Sequence, residues 1–78
     1  MKETKVHLAS IDDVKNFVSA VSQFAGDIDI VGGRYIIDAK SILGLFSLDL
    51  SKPLRVQIHA DEEAPQVEEA LSEWIVTE

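Results

Sequence analysis

The 78-residue chain contains no cysteine, and that excludes disulfides, thiolate metal sites and thiol catalysis together. Its two histidines, His7 and His59, lie far apart without ligand spacing, so neither a metal nor a cofactor is expected. No apolar run approaches the ~20 residues that span a bilayer, so no membrane partner is expected. The Met-Lys-Glu-Thr-Lys start lacks a signal-peptide core, which points to a cytoplasmic location. Seven basic residues against fourteen acidic ones leave a formal charge of −7. The basic residues are scattered, and this argues against nucleic acid, because phosphate backbones require clustered Lys and Arg. Acid is densest from Asp61 to Glu78, as expected of a solvated helix face.

What is present suits one small folded domain, residues 1–78. The apolar fraction of 46% is ordinary for a globular protein, and the length leaves no room for a second core. Thr4 to Leu8 alternates with Val6 and Leu8 on one face, a short strand. Ser10 then reads as a helix cap, with Asp12 and Asp13 in the first turn where negative charge is favoured. Val14, Phe17, Val18, Val21 and Phe24 follow at helical spacing as one buried stripe, and Gly26 reads as the end of that helix. Ile28 and Ile30 point inward on a strand that turns at Gly32-Gly33-Arg34 and returns through Tyr35 to Asp38. The Gly-Gly pair is a turn and not a phosphate loop, because it lacks the glycine spacing and following helix of one. Val31 and Ile36 then project to the open side of the sheet, where they would offer a contact for a homodimer.

Ser41 caps a short apolar helix running to Ser47. Ile42, Leu43, Leu45 and Phe46 cannot all be buried on so short an element, so some of them form a surface patch for a protein partner. Ser51-Lys52-Pro53 leads into the clearest alternation in the chain, with Leu54, Val56, Ile58 and Ala60 inward and Arg55, Gln57 and His59 outward. Both histidines therefore read as lone surface residues. A last helix beginning near Pro65 would bury Val67, Ala70, Leu71, Trp74 and Ile75. The element order βαββαβα predicts an α+β open-faced sandwich, with a four-stranded antiparallel sheet and three helices on one face.

The segment Lys40-Ser41-Ile42-Leu43-Gly44-Leu45-Phe46-Ser47-Leu48 resembles the Lys-Ser-Ile-Met-Gly-Leu-Met-Ser-Leu signature of HPr, the phosphocarrier of the bacterial sugar phosphotransferase system. The resemblance runs gaplessly from Phe24 to Ala60. It implies the same order of elements and a non-enzymatic protein. It also implies that Ser41 occupies the regulatory serine position, a phosphorylation candidate. Lys40, Ile42, Leu43 and Phe46 would then meet a partner: a phosphotransferase-system enzyme, a kinase or a transcription regulator.

The family's second signature, a Gly-(Ile or Leu)-His-Ala-Arg-Pro-Ala loop, is not intact. Counting back from the gapless region puts Ser10 where the phosphorylated histidine would be, Asp12 at the arginine and Asp13 at the proline. A hydroxyl without a neighbouring base is a poor nucleophile. Each carboxylate about 5 Å from a phosphate charge adds about 3 kcal/mol of repulsion at an effective dielectric of about 20. The catabolite-repression HPr branch is similar in lacking the histidine and keeping the serine, and its phosphorylated form acts as a corepressor; it retains the arginine that Asp12 replaces here. The expectation is a degenerate HPr-like regulatory or protein-binding module. The alternatives are a phosphocarrier with an altered acceptor and a self-associating structural module.

Overall fold

The computed structural model describes residues 1–76; Glu78, the last of the acidic residues noted above, lies outside them. Its elements follow the predicted order: β1 (Lys2–Val6), α1 (Ile11–Val21), β2 (Ile28–Gly32), β3 (Tyr35–Asp38), α2 (Ile42–Phe46), β4 (Leu54–Ile58) and α3 (Ala64–Ala70). A single 3-10 turn at Asp61–Glu63 leads into α3, with Pro65 in the first turn, where its missing N–H costs nothing. The sheet order is β1-β4-β2-β3, and every pairing is antiparallel. Alternation along the strands decides the faces. Val6, Ile28, Ile30, Leu54, Val56 and Ile58 lie buried under the helices with Val14, Phe17, Val21, Leu45, Val67 and Leu71. The α+β open-faced sandwich expected from the sequence is the fold observed.

Several details differ from the periodicity reading. β1 begins at Lys2 and ends at Val6, two residues earlier than predicted, although Leu8 is buried all the same. α1 stops at Val21, well before Gly26. The Ser22 hydroxyl adds a second bond to Val18 O, which already accepts the Ser22 N–H, and Gln23 Nε2 donates to Ala20 O, a carbonyl that a further turn would have used. Phe24 is left half-buried beyond the helix. Gly26 is not a left-handed cap, because among the described residues only Gly33 has positive φ. A Cβ on Gly26 would meet Ala60 Cβ at 2.5 Å, so close approach of two segments is what requires glycine there.

α3 is likewise shorter than predicted. Beyond Leu71 the chain turns, and Ile75 forms an isolated antiparallel bridge with Val6 on the outer edge of β1. His7 N–H donates to Trp74 O at 2.9 Å and Val76 N–H to Lys5 O at 3.0 Å. The β-branched pair Ile75-Val76 suits an extended backbone better than a further helical turn. Trp74 is still buried, 6% exposed, and meets Phe17 edge to face at 6.0 Å. Val31, predicted to stand on the open face, does lie on that side of the sheet but is only 8% exposed. It sits between Ile36 of β3 and Arg55 of β4 in direct register, and these two large neighbours shield it.

Candidate functional site

The mouth of α1 is built by Ser10, Asp12 and Asp13, with the apolar Ile11 between the first two, after Leu8 and Ala9. Ser10 is the N-cap in extended conformation, and its Oγ accepts the N–H of Asp13 at 3.1 Å. Asp13 reaches back in return, its Oδ2 accepting the N–H of Ala9 at 2.9 Å. Together these bonds form a capping box shifted one residue outward, which satisfies two donors reciprocally. The other oxygen of Asp13 accepts Trp74 Nε1–H at 3.3 Å, so the carboxylate is fixed from the far end of the chain. Asp12 stands exposed beside it. The arrangement presents a hydroxyl and two carboxylates where helix N–H groups would otherwise face solvent.

α2 packs against α1 and β3. Ser41 Oγ accepts Gly44 N–H at 3.2 Å, as a cap should, while Ser41 itself remains partly exposed. On this short helix Leu45 is buried, Leu43 is 81% exposed and Phe46 40% exposed. Ile11, at the start of α1, adds a third exposed apolar side chain at 63%. Ile42, predicted to meet a partner, is instead half-buried against the core. Lys40 departs further from expectation. Its ammonium donates to Phe24 O at 2.7 Å and Gly26 O at 3.3 Å, tying the exit of α1 to the entry of α2. The cation expected to meet a partner thus holds the two helices' connections together. His59 is not a lone histidine either, because its Nε2 lies 2.9 Å from Asp29 Oδ2 on the open face.

A cleft of about 370 Å³ opens at the other end of α2, lined by Arg34 and Tyr35 of the hairpin, Leu48, Asp49, Lys52 and Pro53. Asp49 is held below the usual carboxylate range, first by the Ser51 hydroxyl and then by the Ser51 backbone N–H. Sequence reading missed this cleft, since its residues come from two separate turns and no spacing rule joins them.

Among the described residues no helix is long and apolar enough to cross a membrane. A family model described as the PTS HPr component phosphorylation site matches residues 13–76. The match begins at Asp13, so Ser10 and Asp12 precede it. The crystal structure of HPr-C-His from Thermoanaerobacter tengcongensis is similar at a TM-score of 0.78 and 25% identity, over 94% of this chain and 89% of that one. No curated protein matches. Architecture, element order and the extent of the family match converge, and the chain belongs to the HPr family of the phosphotransferase system.

Proposed function

We propose that this HPr-family chain is a regulatory, protein-binding module that does not carry phosphohistidine, with Ser41 as its modification site. The observation that carries this reading is the occupied mouth of α1. Asp13 holds the Ala9 N–H with one oxygen and the Trp74 indole with the other, so a fixed negative charge stands at the helix end. A transferable phosphoryl group needs a nucleophilic nitrogen there and a surplus of donors or cations. Among the described residues no side chain accepts a hydrogen bond from the Ser10 hydroxyl, so no base is engaged to activate it, and its oxygen already serves as a cap.

Partner binding in this reading falls to Leu43 and Phe46, whose apolar surface stands out on a helix too short to bury it. The partner is a phosphotransferase-system enzyme, a kinase or a transcription regulator, met in the cytoplasm. Ser41 is the cap of that same helix, so a phosphate on its Oγ would change the charge of the docking surface without removing the acceptor that Gly44 N–H needs.

Two incubations test the proposal. With phosphoenolpyruvate and the first enzyme of the system, the expected result is no mass gain; a base-stable, acid-labile phosphoryl group would overturn it. With HPr kinase and ATP, one phosphoryl group is expected on the native chain and none on Ser41→Ala. An unmodified native chain would remove Ser41 from the reading.

A further inference from the structure

The two edges of the sheet are treated differently. The outer edge of β1 carries Lys2 and Lys5, and its far end is covered by the Ile75 bridge and by Val76 N–H donating to Lys5 O. Lysines and covering segments are the usual protections of an exposed strand edge. β3 forms the opposite edge and has no lysine or proline and, among the described residues, no covering strand. Tyr35 and Ile36 on it are 65% and 67% exposed.

Register shows which backbone groups that edge presents. Gly32 pairs with Tyr35, Val31 with Ile36, Ile30 with Ile37 and Asp29 with Asp38. Ala39 N–H donates to Ile28 O at 2.9 Å, which continues the same register by one pair. Hydrogen-bonded pairs alternate along an antiparallel ladder, so Tyr35, Ile37 and Ala39 turn their backbone groups toward β2. Ile36 and Asp38 must turn theirs outward. Asp38 O accepts the N–H of Ser41 at 2.9 Å, whereas Ile36 makes no hydrogen bond outside the sheet among the described residues.

We propose that β3 pairs with β3 of a second copy, antiparallel, with Ile36 on the two-fold axis. In that register Ile36 exchanges N–H···O bonds with Ile36 of the second copy, and the alternation is correct for it to do so. Arg34 lies in the turn one residue before β3, so the same register brings it near Asp38 of the second copy, and Asp38 near its Arg34; Asp38 Oδ1 accepts the N–H of Lys40 at 2.9 Å, which holds that carboxylate in place. Two residues on either side of the axis thus carry opposite charges, so the edge is complementary to itself, as an isologous contact requires. The two Ile36 side chains meet on the open face, each flanked by its own Val31, and the two sheets become one of eight strands. A four-residue edge buries little area, so the association is weak and reversible. The inference does not rest on the reading of the α1 mouth.

Sedimentation velocity from micromolar to millimolar protein tests it, with folding checked by circular dichroism. The expected result is a monomer–dimer equilibrium, with slower exchange of the Ile36 amide at dimer concentrations. Ile36→Lys sets like charges on the axis and should leave only monomer. Arg34→Asp and Asp38→Arg should each be monomeric alone, yet a mixture of the two variants should dimerise, because only the mixed pair restores opposite charges at both ends. A native chain that stays monomeric throughout, or a dimer indifferent to Ile36→Lys and to the charge mixture, overturns the proposal.

Discussion

Asp13 is the residue on which the α1 mouth turns. From the sequence alone it is a first-turn acid, favourable near a helix N-terminus and otherwise unremarkable. Its contact with Trp74 joins positions 61 residues apart, and no local pattern announces that. Ser10, by contrast, was legible, since a serine before two acids and an apolar stripe is a cap by local chemistry. Ser10→Ala leaves the Asp13 N–H without its acceptor and should cost about 1 kcal/mol. Urea unfolding checks this: the midpoint should fall while the slope stays unchanged. An unchanged midpoint would mean that the Asp13–Ala9 bond holds the helix start by itself. Lys40 teaches the opposite lesson. An isolated lysine reads as solvated, and only the return of the chain shows two carbonyls waiting for its ammonium.

Among the elements, α2 carries the proposed partner surface and depends on a glycine for its seat. A Cβ at Gly44 would lie 2.5 Å from Ile37 Cγ2, closer than packed atoms tolerate. Gly44→Ala would gain about 1 kcal/mol of helix propensity and lose more than that in displaced packing, for a net cost of about 1–2 kcal/mol. Thermal unfolding should show a lower midpoint, and a stabilised variant would mean that α2 can lift from β3 freely. The existence and order of all seven elements were readable, because buried and exposed faces impose periods of 3.6 and 2 on the sequence. Their ends were not equally readable. α1 stops where Ser22 and Gln23 bond back to the helix, and α3 stops where Ile75 finds an unpaired strand edge.

At the scale of the whole molecule, Trp74 closes the structure. It seats its ring on Phe17, its indole N–H on Asp13, and its carbonyl on His7 N–H. Trp74→Phe keeps an aromatic ring and removes one hydrogen bond, at an expected cost of about 1 kcal/mol. Trp74→Ala removes the buried volume as well and should cost about 3–5 kcal/mol. Denaturant midpoints of the two variants separate these contributions; equal losses would show the hydrogen bond to dominate. The sequence by itself determined the class of fold, the inward faces of the first, second and fourth strands and the two serine caps. Each of these follows from interactions within a turn or between neighbours on one face. Only the tertiary structure decided that Lys40 is engaged, that Val31 is shielded, that Asp13 is fixed by a distant indole and that β3 is the bare edge. Those outcomes depend on which segments meet across the sheet, and contacts between distant positions leave no period in the chain.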